Sequence, residues 1–503
     1  MTHLRSAATA TLLAAPAVPI VRPDARRAHL VGIGGSGMKA LAELLIGLGW
    51  QVSGSDVQPS GPVLQLMKNR GLRIHAGHHD RFLPRDADLL IHSPAVGPAN
   101  PERRLAARLG MPVLSYSQVL GWLMHSRVGV AIAGTHGKST TTAMTAHILT
   151  DAGRDPCIVV GAEPCRGSSG RAGRGELFVV ESCEYERSFL DVRPRFAAIL
   201  AIEPDHFDCY ATFAETCGAF AEFAGRVEPG GTLVVRGDCP AAADAARHTP
   251  ADVVTFSRAA GADWWAADLR AGQHATRFRV FRRGEFFTEI SLTLCGEHNV
   301  LNALAAVAVC AEIGVSAADI RESLAEFAGV RRRFETVGSY RGMTLIDDYA
   351  HHPTAVRTTL AAARQKFDRR RIWCLFQPHQ ISRTVALFDE FAGSFRAADE
   401  VLVAPVYAAR ESVGNDAGAV AERLAERIAR CGPAARFTAG LDRILATLDD
   451  EARPGDVLIT MGAGDINRVH HELTRRLWRH HAAECAAGPI PLAESRRSGG
   501  LSH

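Results

Sequence analysis

Short apolar runs that end in glycine or a polar residue alternate along the chain with longer stretches whose apolar residues return every three or four positions. From His29 the order is a strand (HLVGIG, 29–34), a helix (GMKALAELLIGLG, 37–49), a strand (QVSGSD, 51–56) and further apolar runs such as ADLLIHSPAV (87–96). Runs that are apolar at consecutive positions are buried on both faces, so the alternation predicts parallel sheets covered by helices, an α/β fold. The alternation restarts twice. One series opens at VGVAIAG (128–134) and includes LFVVES (177–182) and FAAILAIEPDH (196–206). Another follows GVRRRFETVG (329–338) with MTLIDDYA (343–350), RIWCLFQPH (371–379), EVLVAPVY (400–407) and DVLITMGAG (456–464). We therefore expect three domains, at 28–127, 128–328 and 329–485, with residues 230–295 a β-rich elaboration of the second. An N-terminal extension (1–27) precedes them, and an aperiodic tail (486–503) is expected to be disordered. Each series places polar residues at its strand ends, where open α/β sheets collect ligands.

Length supports the division, since 503 residues exceed what one ordinary core organises. The net charge is only +3 and its Lys and Arg residues are dispersed, which gives no electrostatic case for a nucleic-acid partner. Eleven cysteines without a C-x-x-C pair match neither a zinc pattern nor a disulfide framework. They are expected to be reduced thiols in a cytoplasmic protein. The opening MTHLRSAATATLLAAPAVPI superficially resembles a secretory signal, but it is mostly Ala and Thr and is interrupted by Pro16 and Pro19. No run of about 18 apolar residues is present to span a membrane, so no stable membrane insertion is expected. Monomer and homodimer both stay open.

The strongest chemical signal is AIAGTHGKSTTTAMTAHIL (131–149). An apolar strand feeds Gly134, Thr135, His136, Gly137, Lys138, Ser139 and Thr140, and a helix-compatible segment follows. Ile132 stands where a G-x-x-x-x-G-K-[ST] loop has its first glycine, so the turn is shorter than that pattern. Backbone N–H groups of such a turn can hold phosphate oxygens, Lys138 can neutralise them, and the Ser139 hydroxyl can ligate magnesium. Outside its strand-to-helix setting Lys138 would be an ordinary surface charge. GIGGSG satisfies G-x-G-x-x-G with Gly32, Gly34 and Gly37, Gly35 lying between them, and Asp56 ends the next strand. That arrangement predicts a bound diphosphate with the acid on a ribose hydroxyl.

Further candidates sit at other strand ends. ESCEY supplies Glu181 and Glu184, and EPDHFD supplies Glu203, Asp205, His206 and Asp208. Glu181 and His206 are the expected metal ligands beside Ser139, although strand-end acids also cap helices. His298, Asn299 and Asn302 occupy the first turns of a helix, with the two amides on one face for a purine edge or simply for capping. Arg331, Arg332 and Arg333 lie at a domain boundary, where an arginine can neutralise a transferring phosphoryl group or be a solvated linker. The third series adds Asp347, Asp348, Tyr349, His351 and His352, then His379 and Arg383, two polar clusters able to surround a small amino acid.

Taken in order, GIGGSGM, GTHGKSTTT, EPDH, HNVLNA, RRFE, DDYAHHPT, FQPHQISRT and GAGDI resemble the motifs of the Mur ligase family over roughly residues 28–475. The resemblance implies an N-terminal Rossmann-like UDP-binding domain, a central P-loop ATPase-like domain and a C-terminal Rossmann-like domain. It implies an enzyme of peptidoglycan synthesis that uses ATP and Mg2+ to join L-alanine to UDP-N-acetylmuramate through an acyl phosphate. Lys138, Glu181, His206, Arg332 and His352 would then be catalytic, with the metal on Ser139, Glu181 and His206. ATP would contact the 134–140 loop, His298, Asn299, Asn302 and Arg332. Gly32, Gly34, Gly35, Gly37, Asp56, Tyr349, His379 and Arg383 would bind substrates. Arg332 would arrive from the third domain on closure, excluding water.

Three departures from the family pattern stand out. The usual EADES is ESCEY, in which Glu181 carries over while the acids after it do not align cleanly. The usual asparagine before EPDH is Ala201. The usual FQPHRYSRT is FQPHQISRT, so Gln380 replaces a guanidinium expected to hold the amino-acid carboxylate. Within the family, a ligase that attaches a whole tripeptide during recycling is the alternative. Outside it stand an NAD(P) oxidoreductase built on the first glycine motif, which leaves the Lys138 loop and the third domain unexplained, and a non-catalytic sugar-nucleotide binder, which would keep its ligand affinity but show no turnover for Lys138→Ala to abolish.

Overall fold

The computed structural model describes residues 24–59, 61–69, 71–272, 275–409, 411 and 416–486. Most of the N-terminal extension and nearly all of the expected tail lie outside the described residues. The chain forms two compact units, one ending at Arg333 and one beginning at Phe334.

The first unit carries two sheets. Strands β1 (Arg27–Val31), β2 (Gln51–Asp56), β3 (Arg73–Ala76), β4 (Leu89–His92) and β5 (Val113–Ser115) form an all-parallel sheet in the order β3-β2-β1-β4-β5. Strand order reverses beside β1, so the GIGGSG turn that follows β1 lies at the crevice this topology opens. The second sheet contains β6 (Val128–Ala133), β7 (Cys157–Val159), β8 (Gly170–Arg171), β9 (Leu177–Glu181), β10 (Phe196–Ile199) and β11 (Thr232–Arg236). It continues through β12 (Asp252–Ser257), β13 (Trp264–Ala271), β14 (Thr276–Arg282) and β15 (Glu285–Leu292), in the order β15-β14-β13-β12-β11-β10-β6-β9-β7-β8. Its β13-β14-β15 end is an antiparallel meander. The parallel centre explains the continuous apolar runs: β6, β9 and β10 are buried almost throughout. Against them pack the helices Lys138–Asp151 and Glu297–Glu312, whose Met144, Ile148, Val300 and Leu304 are fully buried.

The two sheets are tied together by the helix Ser36–Gly47. Its Glu43 carboxylate accepts from the Ser168 hydroxyl (2.7 Å), the Ser169 hydroxyl (3.0 Å) and the Gly170 N–H (3.0 Å) at β8. A side chain at Gly170 would collide with the Ala40 carbonyl, so backbone meets backbone here.

The second unit holds β16 (Glu335–Tyr340), β17 (Met343–Asp348), β18 (Ile372–Phe376), β19 (Glu400–Val403), β20 (Ala434–Phe437) and β21 (Val457–Met461). Their order is β16-β17-β21-β18-β19-β20, parallel except for the β16 edge. Its core includes Trp373, Leu375, Leu402 and Leu458.

A polar knot lies inside the first sheet's packing. His29 on β1 and Glu102 are both fully buried, with Nε2 2.6 Å from a carboxylate oxygen. The Ser55 hydroxyl donates to both Glu102 oxygens (2.9 and 2.8 Å), His78 lies 3.3 Å away, and His29 Nδ1 meets the Ser53 hydroxyl at 2.8 Å. Burial raises the Glu102 pKa, but the bonds from His29 and Ser55 outweigh it and hold the group below the usual carboxylate value. Its stabilising contribution is therefore complete above the unfolded-state pKa and lost as pH falls. Glu102→Ala would strand a buried imidazole and hydroxyl, at a cost of about 3 kcal/mol or more. Urea unfolding at neutral pH measures it, and a loss below about 1 kcal/mol would mean the knot is not holding the sheet.

Candidate active site

The loop after β6 is shaped by two glycines. Gly134 (φ +138°) lies where a Cβ would stand 2.9 Å from Leu200, and Gly137 (φ +79°) caps the helix Lys138–Asp151 where a Cβ would stand 2.2 Å from the Asn302 side-chain oxygen. Thr135 fastens the loop to the segment after β10: its N–H donates to the Ala201 carbonyl (2.7 Å), and its hydroxyl accepts from the Glu203 N–H (2.9 Å). His136 Nε2 lies 3.3 Å from the Glu203 carboxylate. Ser139 and Thr140 are buried in the first helical turn.

Lys138 folds over this loop. Its ammonium donates to the Gly134 carbonyl (2.5 Å), the Thr135 carbonyl (3.3 Å) and both oxygens of Glu184 (3.0 and 2.8 Å). Glu184 is only 2% exposed, and its carbonyl accepts from the Tyr210 hydroxyl at 2.6 Å. His206, in left-handed backbone at φ +55°, brings Nε2 to 3.5 Å from the same carboxylate. Burial raises the Glu184 pKa, but the Lys138 charge and the His206 contact reverse the effect and bring it down to about 2. Burial likewise lowers the Lys138 pKa and is overridden by Glu184, so the ammonium is held more firmly than usual. The Cys183 thiol is pushed up to about 12 by burial and the Glu184 charge.

Glu181 ends β9 and accepts from the Gly161 N–H at 2.8 Å, contributing charge toward Lys138 from there. The acid that meets both Lys138 and His206 is Glu184. Cys183, Glu184 and His206 bring their ligand atoms within 4.8 Å of one another.

Asn299 and Asn302 support the loop from behind. The Asn299 amide donates to the Cys295 carbonyl (2.8 Å), the Asn302 amide donates to Asn299 (3.2 Å), and the Asn302 oxygen faces Gly137. Burial and then the Arg333 charge push His298 down to about 4. Residues before Arg332 are stitched onto this unit through Cys165 N–H to the Gly329 carbonyl (3.0 Å) and Arg331 N–H to the Glu163 carbonyl (2.8 Å); Arg332 itself has φ +58°.

At the first sheet, Gly32 (φ +82°) turns the chain, the Gly34 N–H donates to Asp56 at 2.8 Å, and Gly35 starts the helix Ser36–Gly47. Asp56 also accepts from the Gln58 N–H at 3.0 Å, so it braces the turn. A Cβ on Gly37 would stand 2.9 Å from the Tyr116 ring, a neighbour the sequence did not single out.

In the second unit, Tyr349 and His351 contact edge to face (5.3 Å), His351 and His379 likewise (5.8 Å), and His379 stacks on Tyr407 (5.7 Å). Arg383, 2% exposed, donates to His379 Nδ1 at 3.1 Å and to its carbonyl at 3.2 Å. His352 caps the helix Pro353–Phe367, its Nδ1 accepting from the Thr354 N–H at 3.3 Å. Gln380 is buried with φ +68°, and its N–H donates to the Tyr407 carbonyl. Tyr407, which closes EVLVAPVY after β19, was legible only as a strand-end aromatic. Asp347 and Asp348 accept from the Thr460 hydroxyl (3.0 Å) and the Phe334 and Ala350 N–H groups (both 2.7 Å).

A lysine-bearing glycine turn between a buried parallel strand and a helix defines the class of phosphate-loop proteins. Three family models match the chain: the Mur ligase family catalytic domain at 27–128, the Mur ligase middle domain at 132–310 and the Mur ligase glutamate ligase domain at 332–464. A UDP-N-acetylmuramate–L-alanine ligase of Sorangium cellulosum is 42% identical over 460 residues, 91% of this chain and 97% of that protein. The chain belongs to the Mur ligase family. The crystal structure of a UDP-N-acetylmuramate–alanine ligase from Thermotoga maritima is similar with a TM-score of 0.77 at 27% identity, over 90% of this chain and 99% of that one. A murein peptide ligase from Psychrobacter arcticus is similar with a TM-score of 0.70 at 27% identity, over 90% and 98%.

Gly137→Ala adds a Cβ into Asn302 at a left-handed position and is expected to destabilise the protein by about 1–2 kcal/mol or more; thermal unfolding reads it, and an unchanged midpoint would contradict the packing. The Glu184 contribution to stability is complete above pH 4.5 and lost as pH falls toward 2, because the folded group titrates below its ordinary 4.5. The free-energy gap between wild type and Glu184→Gln should shrink over that window; a constant gap would argue against a charged Glu184.

Proposed function

We propose that this protein joins L-alanine to the lactyl carboxylate of UDP-N-acetylmuramate at the expense of ATP, in peptidoglycan precursor synthesis. The observation that carries the reading is the Lys138 ammonium, held by Glu184 over a strand-to-helix phosphate loop. The names of the relatives supply the substrates. Synthesis of this kind belongs in the cytoplasm; among the described residues no helix is long and apolar enough to cross a membrane.

A carboxylate resists amine attack because its leaving group would be oxide. Transfer of the γ-phosphoryl group converts it to a mixed anhydride and releases ADP. Attack by the alanine amine then gives a tetrahedral species that collapses to amide and phosphate. Lys138 and the N–H groups of the 134–140 loop would offset triphosphate charge, which otherwise repels the incoming carboxylate. Mg2+ is proposed to rest on the buried Ser139 hydroxyl, Glu181 and His206, with the Glu184 carboxylate beside His206 adding negative charge. Bound there it supplies charge neutralisation at the phosphates. Arg332 is proposed to neutralise the transferring group, and His298, Asn299 and Asn302 to line the nucleotide side of the loop.

Gly32, Gly34, Gly35, Gly37 and Asp56 are proposed to hold the UDP moiety at the crevice beside β1. In the second unit, Tyr349, His379 and Arg383 would receive the amino acid, with Arg383 taking its carboxylate. His352 accepts at Nδ1, so its neutral ring carries the proton at Nε2 and offers a donor to an anionic oxygen rather than a base. Gln380 weakens the carboxylate site by one charged fork and sets the question of amino-acid choice.

An ADP-release assay with UDP-N-acetylmuramate and L-alanine, glycine, L-serine or L-Ala-γ-D-Glu-meso-diaminopimelate tests the reading. We expect the highest kcat/KM with L-alanine; preference for the tripeptide would select the recycling reaction, and cofactor reduction without ATP turnover would select an oxidoreductase. Lys138→Ala is expected to lower kcat by about 100-fold or more, and a change under about threefold would remove Lys138 from the chemistry.

A further inference from the structure

The Cys183 thiol turns into the same space as Glu184 and His206. We propose that Cys183, Glu184 and His206 form a site for a thiophilic divalent cation such as Zn2+, distinct in preference from the Mg2+ that oxygen donors favour. Three observations, drawn from the turn after β9 and the segment after β10, point there. Ligand atoms of the three residues lie within 4.8 Å of one another. Tetrahedral zinc sets its sulfur, nitrogen and oxygen ligands about 3.2–3.8 Å apart, a spacing the 4.8 Å bound on these atoms brackets from above. His206 is placed in left-handed backbone by the loop that follows β10, and its Nε2 already faces Glu184 at 3.5 Å. Glu184 is nearly inaccessible to solvent, so a cation entering there meets a carboxylate poorly screened by water.

A thiolate, an imidazole and a carboxylate are the donor set for zinc, cobalt or cadmium and a poor one for magnesium. Binding replaces the thiol proton by the metal, one proton leaving to solvent for each Zn–S bond formed. The bound ion competes with Lys138 for Glu184, since both Glu184 oxygens accept from that ammonium. Thiophilic metal would thus hold the loop lysine away from its anchor and inhibit the proposed ligation. The binding itself is measured without nucleotide, so its failure leaves the ligase reading untouched.

The test titrates metal-free full-length protein with Zn2+ against a chromophoric chelator and records the optical spectrum with Co2+, for wild type, Cys183→Ser and Cys183→Asp. We expect one zinc bound about tenfold or more tightly by wild type than by either variant, and a thiolate-to-cobalt charge-transfer band in wild type that both variants lack. Zinc affinities within about threefold of one another, or wild-type cobalt protein without the thiolate band, would overturn the proposal. The cobalt spectrum needs no variant, so a missing thiolate band overturns the proposal even where a substitution fails to fold.

Discussion

An ammonium and a carboxylate buried together at the end of β9 govern the rest of this structure. Either charge alone would be costly in so little water, and the pair is tolerated because each supplies the other's counter-ion and hydrogen bonds. Lys138 reaches Glu184 only because Gly134 and Gly137 bend the loop tightly enough to bring the ammonium back over its own carbonyls. Gly137 in turn needs the Asn302 oxygen at a distance no side chain would permit. The loop, the two buried helices and the segment after β10 are therefore parts of one arrangement, in which a fixed positive charge faces the helix N-terminus.

That arrangement makes chemical sense of a loop shorter than the common phosphate-binding pattern. Where the longer loop has a glycine, this chain has Ile132 still within a buried strand, so the turn starts later, at Gly134. A positive charge anchored from below by Glu184 can exchange that anchor for a phosphate oxygen without leaving the site. The ionised acid left behind then suits a metal cation, which is why the same carboxylate belongs to both the resting contact and the proposed metal site.

Much of this was legible in the letters. Continuous apolar runs gave the parallel strands because burial on both faces leaves no room for alternation, and the glycine turns were recognisable from their place between strand and helix. The choice between Glu181 and Glu184 was not. Period-two reasoning stops at the end of β9, and the turn beyond it decides which acid faces Lys138; Gly161, 20 residues upstream, takes the other one. Asn302 behind Gly137 and Tyr407 over His379 are contacts across long sequence separations that no local pattern carries. Glu102 was hidden for a different reason: PERRLAAR looks like a solvated helix, and only the fold shows that its acid turns inward to His29.

The central claim is that phosphate-loop chemistry here activates a carboxylate instead of merely hydrolysing ATP. Oxygen-18 placed in the lactyl carboxylate of UDP-N-acetylmuramate tests it directly, with inorganic phosphate from a single turnover with L-alanine analysed by mass spectrometry. An acyl phosphate requires one carboxylate oxygen to leave with the phosphoryl group, so the phosphate should carry one labelled oxygen. Amide product formed with unlabelled phosphate would contradict the account.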